Sequence, residues 1–473
     1  MNYSEMYING ELTGSLFKFE VINPATDDVV EEISVADKQI ASQALSAAKQ
    51  AETTWGKTSI AERVTWMKKL RSKVVENQHN LRMAVHLETG KSWAGTEEDY
   101  QSLVNSLEFY AEEIKRYTPP GLNDIDGSHQ HTLRHLPIGV VVAYLSWNFP
   151  LLNLGFKLGP ALASGCPIIL KPSLKAPLSA YLVGALCQEI GLPHGAVNVI
   201  AGDDNEIGNH LSSSTIPAML TLIGSIATGV KIMQAGATSI KRYSMELGGN
   251  TPFIVYKDAD LDLAADIVTA LKFGNSGQIC VAPNRVFVDT AVKDDFVQKV
   301  LERTDQVKVG FDKNADITMG PVIDKGSRAR IHELVDNAIQ SGATLLRGGE
   351  IDSKLTGSFY PPTVICDVTK EMTIYQEEIF GPVISIIHFD CERSVVEEAN
   401  RTDTGLASYV FTTDAAKAQR TAEALEFGEV QINGVKYGID LPHVGIKQSG
   451  IGCDCSKYAL DDYLYLTRIT RAL

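Results

Sequence analysis

The sequence holds no G-x-G-x-x-G stretch, so it lacks the three-glycine dinucleotide fingerprint, and its LIGSIATG stretch is no Walker A loop because no Lys-Ser/Thr follows the second glycine. It has no C-x-x-C pair either. The seven cysteines (166, 187, 280, 366, 391, 453 and 455) are odd in number and scattered, which argues against a disulfide framework and fits reduced cytosolic thiols. Cys453 and Cys455 stand close together without a His or Cys neighbour in sequence, so no metal site is expected. The opening residues, MNYSEMYINGELTG, lack a basic segment followed by an apolar one, and no signal peptide is expected. Positive charge is scarce: 43 Lys and Arg face 58 Asp and Glu, and the net charge of -15 argues against nucleic acid or an anionic membrane as partner. One long uncharged run exists, Ile138 to Phe156, but it contains Asn148 and Pro150, which suit a buried strand, a turn and a buried helix better than a membrane span. No internal repeat and no low-complexity tract is present.

What remains is an ordinary globular composition, 44% hydrophobic and 21% charged, over 473 residues, enough for about three domains. Residues 37–117 are charged and apolar at helical spacing, as in AERVTWMKKLRSKVVE. TPPGLNDIDGSHQ, 118–130, is a Pro/Gly/Asp-rich break. From Ile138 short apolar runs alternate with helical patterns: GVVVAYL before PLLNLGFKLGPALASG, PIIL before PLSAYLVGALCQEI, AMLTLI before IATGVKIMQAG. A second round begins after Leu247, with PFIVY, NRVFV and their following helices. Such alternation predicts an α/β fold of two doubly wound parallel sheets, each covered by helices, with ligands at the carboxyl ends of the strands. The boundary is expected near MELGGN.

Four polar stretches are not required by core packing: SWNFP (146–150), LIGSIATG (222–229), MELGGN (245–250) and GQIC (277–280). Each has a bland reading, since a lone cysteine is usually a small buried hydrophobe and Asn148 a turn former ahead of Pro150. In this order, and with NPAT (23–26), KPS (171–173), QEEIFGPV (376–383) and KQSGIG (447–452), the chain resembles the NAD(P)-dependent aldehyde dehydrogenase superfamily over nearly its whole length.

The resemblance implies a cofactor-binding domain (1–117 and 138–246), a catalytic domain (247–440) and a small β arm (118–137 and 453–473) that joins subunits into a homodimer or homotetramer. It implies Cys280 as the nucleophile, forming a thiohemiacetal and then a thioester, with the Asn148 amide and the Cys280 backbone N–H stabilising the oxyanion. Glu246 is the matching general base for water. The small residues before Cys280, Gly274, Ser276 and Gly277, would leave space for aldehyde and nicotinamide. Glu246 favours hydrolysis over transfer to coenzyme A, because coenzyme A-acylating relatives lack that glutamate.

For the cofactor, the same mapping places Gly224 and Ser225 at the pyrophosphate, where helix N–H groups are unsatisfied. Lys171 falls at the adenosine ribose with Ser173 and Leu174 beside it, Glu378 at the nicotinamide ribose, and Phe380, Trp147 and Leu247 around the nicotinamide end. Leu174 stands where NAD-selective relatives commonly carry a glutamate, so NADP should be tolerated as well as NAD, with Lys175 free to face solvent. The substrate tunnel maps to Phe149, Asn153, Phe156, Ile279, Tyr437 and His443. Many relatives read P-F-G-G where this chain has Pro442-His443-Val444-Gly445, and Asn153 and His443 would offer hydrogen bonds to a small polar aldehyde. Succinate-semialdehyde types read a carboxylate with arginines at two positions that are Phe156 and Gly274 here.

Overall fold

The computed structural model describes residues 4–352 and 356–473. Two sheets dominate it. The first has eight strands in the order Glu11–Thr13, Met6–Ile8, Val197–Val199, Ile168–Pro172, Val141–Leu145, Met219–Gly224, Arg242–Leu247, Gly450–Ile451. Its inner five strands are parallel, as the alternation predicts. Its two edges are antiparallel, built by the N-terminal hairpin and by the KQSGIG stretch, which the alternation did not foresee. The inner strands Val141–Leu145 and Ile168–Pro172 are buried throughout, so their continuous Val/Ile/Leu runs reflect coverage on both faces.

The sheet grows from Val141–Leu145 in one direction through the next two strands, and then in the other through Met219–Gly224. The carboxyl ends of these two neighbours form the switch point where such sheets hold ligands. The uncharged run resolves into that central strand and the helix Pro150–Ser164, which starts on Pro150 and stops at Gly165 with a φ of 87°.

The second sheet has seven strands in the order Thr344–Arg347, Thr363–Cys366, Val383–Phe389, Arg285–Asp289, Pro252–Val255, Ala407–Phe411, Glu429–Ile432, all parallel except the first pair. Alternate residues feed separate cores on its two faces: Ile254 and Phe287 on one, Phe253, Val255, Val286 and Val288 on the other. Strand Arg242–Leu247 lies in the first sheet and Pro252–Val255 in the second, so MELGGN joins them. His129–Pro137 and Leu464–Ala472 form a separate two-stranded antiparallel ribbon. Among the described residues, no helix is long and apolar enough to cross a membrane.

Candidate active site

Cys280 follows a tight turn, Gly274–Gly277, in which Asn275, Ser276 and Gly277 take φ values of 47°, 56° and 71°. A Cβ at Gly277 would lie 2.1 Å from the carbonyl oxygen of Gly381, so glycine is required there by both conformation and contact. The small neighbours of the thiol therefore do more than leave room. Ser276 donates its hydroxyl to the Gly320 carbonyl at 2.7 Å, and Gln278 accepts from the Ile323 N–H at 2.8 Å. Asn275 donates to the carbonyls of Asn148 (3.0 Å) and Gln278 (3.2 Å). Only Gly274 meets the expectation of open space, with no atom nearer than 4.0 Å to a built Cβ. The expectation for Ser276 and Gly277 is corrected accordingly: they brace the loop that presents Cys280.

Asn148 sits at the carboxyl end of the central strand and is buried. Its Nδ2 donates to the Gln278 carbonyl at 3.1 Å, leaving one amide hydrogen for another acceptor. Its Oδ1 accepts from Asn153 Nδ2 at 3.2 Å, and the same nitrogen donates to the Ser146 carbonyl at 3.1 Å. Asn153 lines the tunnel as expected, but its Nδ2 is spent on holding Asn148 and is not offered to a substrate.

Glu246 comes from the Arg242–Leu247 strand, buried opposite Gly450. Its Oε1 lies 3.3 Å from His443 Nε2, while His443 Nδ1 meets Glu429 Oε1 at 2.5 Å. The expectation that His443 reads the substrate is thus corrected, because both ring nitrogens already face carboxylates. The Cys280 Sγ, a His443 ring nitrogen and a Glu246 oxygen all lie within 4.8 Å of one another. Beneath them Lys157 and Asp454 form a buried ion pair at 2.6 and 2.7 Å. Sequence reasoning did not find Asn275, Glu429, Asp454 or Lys157. The acid of the last pair stands between Cys453 and Cys455, and Glu429 starts an unremarkable strand.

Asn148, Cys280, Glu429 and His443 open on a tunnel of about 250 Å³. Phe149, Asn153, Phe156, Ile279, Tyr437 and His443 all line it, together with Glu98, Gln431 and Lys436. Among the described residues, no arginine lines it. The Tyr437 hydroxyl pairs with that of Tyr409 at 2.7 Å.

At the switch point, Trp147 follows the strand Val141–Leu145 and Ser225 follows Met219–Gly224. Ser225 caps the helix Ile226–Gly236, accepting from the Thr228 N–H at 3.2 Å, so its hydroxyl organises the helix end where N–H groups are unsatisfied. Leu247 packs against that helix so closely that a Cβ at Gly229 would meet it at 2.9 Å. Lys171 is buried at a strand end and contacts the exposed carboxylate of Asp204. Ser173 and the partly buried Leu174 follow it. Lys175 is exposed, and at the surface it pairs with Asp324 at 2.6 Å and lies 5.6 Å from the Trp147 ring centre.

Glu378 takes an N–H from Gly249 at 3.3 Å and abuts Gly248, where a Cβ would fall 2.4 Å from its Oε2. Burial pushes its carboxyl up to about 7. Phe380, at a φ of 48°, meets Trp147 edge-on at 5.6 Å. A capped helix end, a buried cation, a carboxylate and two aromatic rings around one switch point form a donor set that fits a nicotinamide dinucleotide.

A profile described as Aldehyde dehydrogenase family matches residues 13–469. The chain is 38% identical over 450 residues to a mitochondrial succinate-semialdehyde dehydrogenase of Arabidopsis thaliana, covering 94% of this chain and 84% of that one. It is 36% identical over 450 residues to the NADP(+) succinate-semialdehyde dehydrogenase GabD of Escherichia coli K12, covering 94% and 92%. A solved structure of Staphylococcus aureus betaine aldehyde dehydrogenase with NAD+ superposes with a TM-score of 0.96 at 33% identity, covering 99% of this chain and 94% of that one. The chain belongs to the aldehyde dehydrogenase family, as an NAD(P)-dependent oxidoreductase of aldehydes.

Proposed function

We propose that the enzyme oxidises a small polar aldehyde to its carboxylic acid through a thiohemiacetal and a thioester on Cys280. The observation that carries this reading is that Cys280 and Asn148 line one tunnel while a Glu246 oxygen lies within 4.8 Å of the Cys280 Sγ. Cys280 Sγ attacks the carbonyl carbon, and the oxygen, gaining charge, meets the free N–H of Asn148 and the Cys280 backbone N–H. A single preorganised donor of this kind typically lowers the barrier by ~3 kcal/mol. Lys171, Ser225, Glu378, Trp147 and Phe380 would hold the nicotinamide cofactor, which supplies the hydride acceptor. Glu246 then takes a proton from water as its oxygen adds to the thioester, a role worth roughly 10²–10⁴-fold.

The tunnel supports a polar substrate. The exposed side chains of Glu98 and Lys436 would lose water to an alkyl or phenyl chain without regaining a partner, at ~1–3 kcal/mol for each group left unpaired. A second reading, an aldehyde that also carries a carboxylate, draws on the named activities of the relatives and on Lys436, a lysine in the lining. Rates with lactaldehyde, glyceraldehyde, succinate semialdehyde, hexanal and benzaldehyde, each with NAD and NADP and with or without coenzyme A, test both readings. Hexanal leading the series would overturn them, and dependence on coenzyme A would overturn the hydrolytic step.

We further propose a cytoplasmic homodimer or homotetramer. Seven unpaired cysteines suit a reducing compartment. The ribbon of His129–Pro137 and Leu464–Ala472 exposes Leu466 and Ile469 on an otherwise unpaired edge, a surface for the subunit contact. Light scattering on the intact chain reads the assembly, and a monomer would remove that part.

A further inference from the structure

One imidazole stands among three groups that all favour its protonated form. His443 presents Nδ1 to Glu429 at 2.5 Å and Nε2 to Glu246 at 3.3 Å, with the Cys280 thiol in the same cluster. Ionised carboxylates only accept hydrogen bonds, so an imidazole with one at each nitrogen satisfies both only when both nitrogens carry hydrogen. The second oxygen of Glu429, Oε2, is buried with no partner among the described residues, which leaves His443 as the counterpart of that charge. The ring is also fixed through the backbone, since His443 and Asp454 exchange N–H to carbonyl bonds of 2.8 and 2.9 Å. The side chains of His443, Glu246 and Glu429 are only 12%, 6% and 11% exposed, so their charges act on one another with little screening.

The thiol itself is in an unfavourable place. Burial first, and the charge of Glu246 second, hold Cys280 up at about 12 even with the opposing pull of His443 included. Burial alone would lower His443, but its hydrogen bonds with Cys280, Glu246 and Glu429 outweigh that and raise it well above the ordinary imidazole value. A thiol is a weak nucleophile and a thiolate a strong one, so a fixed positive neighbour decides whether this sulfur reacts near neutral pH.

We propose that His443, anchored by Glu429, is a further catalytic residue: its imidazolium is the counter-ion against which Cys280 attacks as a thiolate, leaving Glu246 to act on water alone. This rests on the reading of Cys280 as nucleophile. The proton of the Cys280–His443 pair resides on Nε2, and the sulfur keeps the electron pair. That pair forms the Sγ–C bond while the carbonyl π pair moves onto oxygen beside Asn148. Oxidation to the thioester, which the NAD(P)-dependent activity supplies, leaves the Nε2 proton in place. Glu246 then takes a proton from water, the water oxygen bonds to the acyl carbon, and the Sγ–C bond breaks with its electrons returning to sulfur. The sulfur leaves as a thiolate against the same imidazolium, so no proton has to reach the leaving group.

The titratable groups around His443 are Glu246, Glu429 and Cys280, with Tyr437 edge-on at 6.4 Å and Tyr409 and Cys455 within range of its charge. The carboxylate of Asp454 is already given to Lys157.

The test is alkylation of Cys280 by iodoacetamide across pH in the cofactor-free full chain, read at the Cys280 peptide by mass spectrometry so that exposed Cys391 does not contribute. Wild-type Cys280 should titrate at a lower pH than Cys280 in the His443→Phe variant, because the imidazolium is the group that opposes burial and the charge of Glu246. His443→Phe keeps the residue type that many relatives carry there. It should move the profile upward by more than one pH unit and slow alkylation at pH 7 more than ~10-fold, with Glu429→Gln in between. The rapid burst of reduced cofactor on mixing with aldehyde should slow in His443→Phe and persist in Glu246→Gln. A His443→Phe alkylation profile that superimposes on wild type would overturn the proposal while leaving Cys280 as nucleophile. Wild-type turnover by Cys280→Ser would overturn both.

Discussion

Replacing Asn153 by leucine, close in volume but without the amide, tests whether the site depends on how Asn148 is held. The substitution leaves Asn148 Oδ1 and the Ser146 carbonyl without the donor they share. Each buried acceptor left unpaired costs ~1–3 kcal/mol, so a stability loss of a few kcal/mol is expected. The catalytic effect is separate. The amide torsion of an asparagine is broad and nearly two-fold, and once Oδ1 loses its partner the group can turn and present oxygen where the oxyanion forms. Half-time misorientation alone gives a factor of about 2, and disorder around it brings the expected loss of acylation rate to roughly 3–10-fold. Asn148→Ala removes the donor outright and should cost ~10²–10³-fold. Because Asn153 acts only through Asn148, adding Asn153→Leu to Asn148→Ala should slow acylation no further. Stopped-flow formation of reduced cofactor measures each rate. Wild-type acylation in Asn153→Leu, or multiplicative losses in the double variant, would refute the reasoning.

Glu246→Gln should release about one reduced cofactor per site in a burst and then stall, since thioester hydrolysis loses its base; unchanged steady-state turnover would place the base elsewhere. Asp204→Asn should raise the NADP-to-NAD ratio of catalytic efficiency several-fold, because the carboxylate on Lys171 repels a ribose phosphate as a glutamate at the Leu174 position would. An unchanged ratio would place Asp204 away from that phosphate. Glu378 titrates near 7 through burial, above its unfolded value, so the folded chain binds more protons and the cofactor-free enzyme loses stability as pH rises from about 4.5 to 7. Glu378→Gln should therefore melt at a higher temperature than wild type at pH 8 and lose that advantage near pH 4.5; equal melting temperatures at both would contradict it.

The parallel sheets were readable because a strand buried on both faces must be a continuous apolar run, as in GVVVAYL and PIIL, followed by a helix of different period. The antiparallel edges were not, since Gly450–Ile451 is two residues long and owes its place to contacts with Met245 and Glu246. Cys280, Glu246 and Asn148 stood out because polar residues interrupted those runs. Their supports did not, because Glu429, Asn275 and Asp454 act through partners 14, 127 and 297 residues away in the chain. His443 shows the difference most clearly. The sequence marks it as a polar residue at the tunnel, while its role depends on which carboxylates the fold brings to its two nitrogens.

The segment that carries His443 is also the seam between the two sheets. Ser449 gives its hydroxyl to the Gly248 carbonyl and takes the Gly405 N–H on the other side, both at 2.9 Å, and its own carbonyl accepts from Leu247. Ile446–Lys447 pairs with Thr404–Gly405, and Gly450–Ile451 with Met245 and Glu246. The approach is close enough that a Cβ at Gly450 would fall 2.3 Å from the Met245 carbonyl oxygen, and one at Gly445 2.2 Å from that of Ser449. Variation here is thus free in one respect and closed in another. Side chains between Tyr437 and Pro442 can be exchanged to suit a different aldehyde, but a single inserted or deleted residue between Gly445 and Ile451 would put the two pairings out of register with each other. The ring at 443 would leave its carboxylates at the same time. Among descendants of such an enzyme, substrate range should drift by substitution, while the length of this seam stays fixed.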